Sequence, residues 1–260
     1  MSEISRFNPM GRFTGLAEIY ARCRPGYPDA AIEFIAIHCG LRPGSLLVDV
    51  GSGTGIASRL FAGRGIRVVG IEPNPEMRAE AEATGVPAGV PRPTYVAGRG
   101  EATGRESASA DVVLAAQSFH WFEADAALAE FHRILKPAGW VALMWNDHDA
   151  DDRFTKAFDE LILALPDAAA AELLRRPAGE VLFGSPLFER VECRRFPNEQ
   201  LLDEEAFIGR AFSASYAPRE AAAATSYEAA LRRLFVQYEN RGRVALRYST
   251  VVYVGRAVLD

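Results

Sequence analysis

A chain of 260 residues, 49% hydrophobic and 24% charged, can bury a full core, and its net charge of -5 gives no electrostatic reason to expect a nucleic-acid partner. No run approaches the roughly 20 apolar residues that span a bilayer, and residues 1–8 are polar, without the apolar stretch of a signal peptide. Cys23, Cys39 and Cys193 are odd in number and widely spaced, which excludes a C-x-x-C pair and suits reduced thiols. The expectation is a cytoplasmic protein, monomer or weak homodimer, with no metal, membrane or nucleic acid.

In chain order, residues 1–14 are polar and punctuated by glycine and proline, so they are expected to be mobile without a ligand. Leu16–Tyr20 can form a short helix, which Pro25 and Pro28 forbid from continuing. Asp29 is an expected N-cap for a helix whose apolar members are Ile32, Phe34, Ile35 and Ile37. Leu46–Val50, apolar except for Asp49, suits a strand buried on both faces of a parallel sheet. Gly51, Gly53 and Gly55 follow at alternate positions, and Ile56, Ala57, Leu60 and Phe61 open a helix. Such a strand–loop–helix lets a ligand approach the backbone closely. A dinucleotide fingerprint would need its third glycine at position 56, which is Ile56, and this disfavours a nicotinamide-dependent dehydrogenase.

Arg67–Glu72 reads as a second strand ending in a carboxylate, about 20 residues beyond the first glycine, where an acid can accept from two ribose hydroxyls. Pro73 and Pro75 shape the turn into a helix containing Met77. A loop over 84–93 leads to a third strand at Thr94–Ala97, and then to Gly98-Arg99-Gly100-Glu101-Ala102. A fourth strand over Ser109–Ala116 ends at Gln117-Ser118-Phe119-His120-Trp121-Phe122, and Ala124–Leu135 is helical. A turn at Leu135–Gly139 precedes strand five, Trp140–Trp145. The acidic run Asn146–Asp152 tempts a cation-site reading, but it lacks the glycine of a calcium loop and more simply caps the next helix, Phe154–Leu165. A helix over 168–175, strand six over 188–196, helices over 201–212 and 221–238, and a last strand over 244–254 complete the chain.

Ligands of parallel sheets gather at the carboxyl ends of the strands, so Gly51, Glu72, Glu101 and Gln117 are aimed at one crevice. The run Asp49-Val50-Gly51-Ser52-Gly53-Thr54-Gly55 resembles the first motif of the class I S-adenosylmethionine-dependent methyltransferases. Tyr20–Pro28, Gly98–Ala102, Gln117–Phe122 and Ser213–Tyr216 are similar to segments of the small-molecule group related to trans-aconitate methyltransferase. The N-P-P-Y type sequence of amino-methylating DNA enzymes is lacking after strand four.

The resemblance implies an α/β fold, a doubly wound, mostly parallel seven-stranded sheet with a helical cover. It implies one domain over residues 1–260: 1–40 as an N-terminal cover segment, 41–150 as the cofactor core, and 151–260 as the substrate cover with the last strands. The implied cofactor is S-adenosylmethionine, with S-adenosylhomocysteine as product. Asp49, Gly51, Ser52 and Gly53 would seat its methionine part, and Glu72 its ribose. Pro73 and Met77 would line the adenine face, with Gly100, Glu101 and Ala102 at its edge; Gly100 stands where alanine is usual, a change expected to preserve access. Tyr20, Arg24 and Gln117 complete the cofactor contacts, while Tyr27, Trp121, Trp145, Ser215 and Tyr216 face the methyl acceptor, a small molecule. His120 is either the catalytic base or part of an aromatic wall. A phenol, amine or carbon acid would need a base, whereas a carboxylate acceptor would need only an arginine clamp. A non-catalytic S-adenosylmethionine-binding regulator fits the same motifs.

Overall fold

A computed structural model describes residues 14–166, 168, 169 and 178–259. The strands are β1 (Leu46–Val50), β2 (Arg67–Ile71), β3 (Thr94–Val96), β4 (Ala110–Ala116), β5 (Leu135–His148), β6 (Phe188–Leu202) and β7 (Val244–Ala257). They form one sheet in the order β3-β2-β1-β4-β5-β7-β6. The first five neighbours run parallel, and β7 is antiparallel to both β5 and β6. The expected mostly parallel, seven-stranded architecture is therefore present.

Helices α1 (Ala17–Cys23), α2 (Asp29–His38), α3 (Ile56–Ala62), α4 (Pro75–Ala83) and α5 (Ala124–Ile134) flank the first five strands. Successive strand residues point to opposite faces, and β1 divides accordingly. Leu47 packs with Ile32, Ile35 and Phe61 from α2 and α3, while Val48 and Val50 pack with Leu128, Phe131 and Ile134 from α5. A third core is separate. Helices α6 (Arg153–Leu163), α8 (Glu204–Phe212) and α9 (Ala221–Tyr238) bring Phe154, Phe158, Phe207 and Leu231 together over Leu246 and Tyr248 of β7. A short α7 (Val181–Gly184) precedes β6.

Several element ends differ from expectation, and the antiparallel partner explains the largest differences. β5 takes in the expected turn at its start, where Leu135 pairs with Ala110 of β4, and continues to His148 because β7 pairs with it as far as His148 opposite Tyr248. β6 likewise continues through Leu202 opposite Val244, so the following helix starts at Glu204, where the Asp203 carboxylate accepts from the Ala206 amide. At α2 the N-cap is Pro28, and Asp29 instead pairs with Arg64 at 3.0 Å. Asp152 does cap α6, accepting from the Thr155 amide at 2.9 Å. Residues 1–13, and all but 168 and 169 of the helix expected over 168–175, lie outside the described residues.

Residues 14–28 run along the carboxyl ends of the strands and are fastened at both sides. Asn74 Nδ2 donates to Thr14 Oγ1 at 3.2 Å beside α4. At the other side, the Gly26 carbonyl accepts from Asn146 Nδ2 at 3.0 Å and Asn198 Nδ2 at 3.1 Å, and the Cys23 carbonyl accepts from Gln200 Nε2 at 2.9 Å. This strap holds Tyr20 and Tyr27 over the sheet. Among the described residues no helix is long and apolar enough to cross a membrane, and no cluster of metal-ligating side chains occurs.

Candidate functional site

The ends of β1, β2, β3 and β4 open into a crevice of about 1100 Å³, closed on one side by Tyr20 and Tyr27. That is ample for a ligand of drug size. Asp49, Gly51, Ser52, Gly53, Glu72, Pro73, Met77, Gly100, Glu101, Ala102, Gln117 and Trp121 all line it, as the sequence leads one to expect.

The glycine loop is built from both directions. The amides of Gly51 and Ser52 donate to the Ile71 carbonyl at 2.7 and 3.1 Å, which pins the loop to the end of β2. Gly51 has φ +72°, and a Cβ there would overlap Ser118 Cβ and lie 2.8 Å from Ser118 Oγ. Ser118 is itself fixed by donating to the Val50 carbonyl at 2.7 Å. The Gly53 amide donates to Glu72 Oε2 at 2.9 Å, and the Asn74 amide donates to Glu72 Oε1 at the same distance. Glu72 is thereby held by the backbone of two loops, and each carboxylate oxygen keeps a further lone pair for the crevice. Burial pushes its carboxyl up, and the Asn74 and Gly53 amides pull it back.

Asp49 is 1% exposed. Its Oδ2 accepts from Ser58 Oγ at 2.6 Å, and its Oδ1 is buried without a partner, as are Ser52 Oγ and Thr54 Oγ1. Burial raises the Asp49 carboxyl to about 7, with the Ser58 hydroxyl opposing and Glu72 adding to the rise. A buried carboxylate oxygen with no donor is costly to the protein alone, and it suits a ligand bringing N–H groups and positive charge. Of the charged residues lining the crevice four are acidic, Asp49, Glu72, Glu101 and Glu123, against Arg99, which argues against a phosphate-rich ligand.

At the far edge, Arg99 and Ala102 bond to each other across a tight turn, by amide–carbonyl bonds of 3.1 and 3.2 Å. Glu101 Oε1 accepts from the Glu123 amide at 2.9 Å, so it both lines the crevice and ties the turn to the start of α5. Gly100 is not a neutral stand-in for alanine. A Cβ there would lie 2.6 Å from Cγ of the Phe122 ring, which occupies the space that an alanine methyl would need. Gln117, at the end of β4, is held at φ +59°, uncommon for a residue with a side chain, by its amide donating to the Met144 carbonyl at 2.8 Å.

Five expected site residues do not line the crevice. Trp145 is buried in β5 and donates from Nε1 to His120 Nδ1 at 3.2 Å. His120 stands behind Trp121, with ring centroids 4.6 Å apart. Arg24 donates to the Ser213 carbonyl at 3.1 Å, Tyr216 packs against the third core, and Ser215, like both, is not among the residues that line the crevice. Conversely, Thr54, Ile56, Ala97, Ser118, Phe122 and Glu123 line the crevice without having been singled out as binding residues. Phe122 and Ser118 stood within the quoted Gln117–Phe122 run; for Ala97 and Glu123 the sequence carries no signal.

Residues 48–143, from β1 into β5, match a family model described as a methyltransferase domain. An uncharacterized methyltransferase of Mycobacterium tuberculosis is 32% identical over 143 residues, 55% of this chain and 55% of its own. An uncharacterized methyltransferase-like protein of Schizosaccharomyces pombe is 32% identical over 131 residues, 50% of this chain and 49% of its own. The chain thus matches about half the length of these curated relatives. Among solved structures, a candidate type II methyltransferase of Anaeromyxobacter dehalogenans superposes with a TM-score of 0.63 at 23% identity, covering 90% of this chain and 97% of its own. The [4+2]-cyclase SpnF gives 0.52 at 17% identity, covering 99% of this chain and 97% of its own, so the fold alone does not name a reaction. The matching family model and these relatives are all described as methyltransferases, and the solved structures share the fold.

Proposed function

We propose that this protein transfers a methyl group from S-adenosylmethionine to a small-molecule acceptor. The observation that carries the reading is the unpartnered, buried Oδ1 of Asp49 beside a glycine loop whose neighbouring carboxylate, Glu72, is pre-set by two amides. S-adenosylmethionine supplies an electrophilic methyl on a sulfonium, together with an ammonium and a ribose diol, and a structural neighbour, the phosphoethanolamine N-methyltransferase 2 of Haemonchus contortus (TM-score 0.53, 17% identity), is solved in complex with it. In this chain Asp49 and the Ser52 and Gly53 backbone would hold the amino-acid end, Glu72 the diol, and Met77, Gly100, Glu101 and Ala102 the base. Residues 1–40 and 151–260 would form the cover over a cofactor core at 41–150. The separate apolar core of α6, α8 and α9 supports that division.

Displacement at a methyl group needs alignment and exclusion of water more than it needs an enzyme nucleophile. Tyr20, Tyr27, Trp121 and Phe122 wall the crevice and would exclude water from the reacting pair. His120 backs that wall from behind Trp121 rather than acting as base. Its Nδ1 accepts from Trp145, so the neutral ring carries its proton on Nε2, and gaining a second proton would set two donors against each other. We expect His120→Asn to keep the single-turnover rate within about tenfold and to leave its pH profile unchanged. A fall of about 100-fold with loss of a pH-dependent limb would restore the base.

The activity is tested with methyl-labelled S-adenosylmethionine and a panel of phenols, amines, carbon acids and carboxylates. Transfer of label to one class is expected. Tight cofactor binding with no transfer to any member would favour a non-catalytic regulator.

A further inference from the structure

Next to the crevice, on the cover side of Tyr20, two guanidinium groups lie close enough to repel, and among the described residues no carboxylate pairs with either. Arg210 of α8 is only 5% exposed, and among the described residues its side chain donates to Tyr248 Oη alone, from Nε at 3.3 Å. Tyr248 Oη donates onward to Gln200 Oε1 at 3.2 Å, which fixes it as an acceptor for Arg210. Arg24 donates from Nη2 to the Ser213 carbonyl at 3.1 Å, and its Cζ stands 4.8 Å over the Tyr20 ring. Its Nε is buried without a partner, and so is the hydroxyl of Tyr227 from α9. The charged and titratable groups that Arg24 feels are Arg210, Tyr20, Tyr216 and Tyr248, and Arg210 feels the same three tyrosines. Tyr227 in turn feels Tyr216 and Arg210, which places its hydroxyl in the same group.

Such a cluster is an unbalanced one. Buried cations are ordinarily paired, because the desolvation of each must be offset by a counter-charge and by acceptors for its N–H groups. Here two like charges repel, and their N–H donors far outnumber the acceptors that the fold provides. The Ser213 carbonyl, at the C-cap of α8, offsets part of the charge of Arg24 but leaves its Nε unanswered, and for Arg210 the described residues supply only the Tyr248 hydroxyl. Planar guanidinium forks match the oxygens of a carboxylate or phosphate, and tyrosine hydroxyls add donors to the same oxygens.

We propose that Arg24 and Arg210, with the Tyr227 hydroxyl, form an oxyanion subsite that binds a carboxylate or phosphate group carried by the methyl acceptor. This rests on the methyltransferase reading of the crevice. Tyr20 joins the two sites, since one side of its ring lines the crevice and Arg24 covers it. The acceptor would therefore be an anion anchored beneath the cover, with its methyl-accepting atom reaching past Tyr20 and Trp121.

Calorimetric titrations of the full chain test this with three probes, S-adenosylhomocysteine, succinate and inorganic phosphate, in buffer low in other small anions. Wild type is expected to bind succinate or phosphate saturably, and the arm that binds tells carboxylate from phosphate. Arg210→Gln should weaken that binding by at least about tenfold, Arg210→Lys by less, and S-adenosylhomocysteine affinity should stay within about twofold in both. Arg24→Gln, at the less buried member of the pair, gives the same readout if an Arg210 variant does not fold. Absence of saturable binding of either anion to wild type would overturn the subsite, as would equal binding in wild type and the glutamine variants. Failure of S-adenosylhomocysteine to bind, with anion binding intact, would instead overturn the methyltransferase reading and leave the anion site standing.

Discussion

Replacing Asp49 by asparagine is expected to lower affinity for S-adenosylhomocysteine by about 100-fold, roughly 3 kcal/mol, the range for losing one partner of a buried charged hydrogen bond. The same residue gives binding a pH dependence of known sign. With its carboxyl raised to about 7 before the ligand arrives, a proton competes with the ligand's ammonium in mildly acid solution. Affinity should fall by about tenfold per pH unit below about pH 7 and level off above it, and Asp49→Asn should flatten that slope. Stability of the ligand-free protein moves the other way. A folded value above the unfolded 3.8 means that the protonated carboxyl favours folding, a contribution complete below about pH 4 and lost as pH rises through about 7. The thermal shift produced by S-adenosylhomocysteine should therefore shrink from pH 8 to pH 6, and a shift independent of pH in wild type would contradict this role for Asp49.

The second large effect is expected at Gly51. Alanine there meets a left-handed backbone and the Ser118 side chain at once. The conformational term is about 1 kcal/mol and overpacking adds about 2, so thermal unfolding should fall by about 6–12 °C. Gly53 separates the two causes. It also has positive φ, +54°, but no atom lies within 4 Å of a Cβ built there. Gly53→Ala should lose only about 1 kcal/mol of stability while still weakening cofactor binding, because its methyl intrudes where a ligand would lie against the loop. Equal melting temperatures for the two variants would show that Ser118 does not clamp the loop.

The cofactor half of this site was legible because local rules govern it. A doubly buried strand reads as a continuous apolar run, a tight strand-to-helix turn needs glycine, and Glu72 falls at the end of the next strand by simple counting. Where two distant segments must meet, those rules have nothing to act on. The far ends of β5 and β6 are set by pairing with β7, a strand about a hundred residues further on from the start of β5, so the helix expected from Leu201 begins only at Glu204, while Leu135 is drawn into β5 by pairing with Ala110 of β4. The need for glycine at position 100 comes from the ring of Phe122. Tyr20 and Arg24 look like one motif in the chain, yet Tyr20 faces the crevice while Arg24, at the extended C-cap of α1, turns to the end of α8. His120 has the residue type of a base, and only the indole of Trp145 on a neighbouring strand fixes which nitrogen holds its proton.

The central claim is that the glycine loop, Asp49 and Glu72 bind S-adenosylmethionine. Parallel calorimetric titrations with S-adenosylhomocysteine and with NAD test it most directly. Saturable binding of S-adenosylhomocysteine at one site per chain, lost in Asp49→Asn, with no binding of NAD, is the predicted result. Binding of NAD without S-adenosylhomocysteine would contradict it.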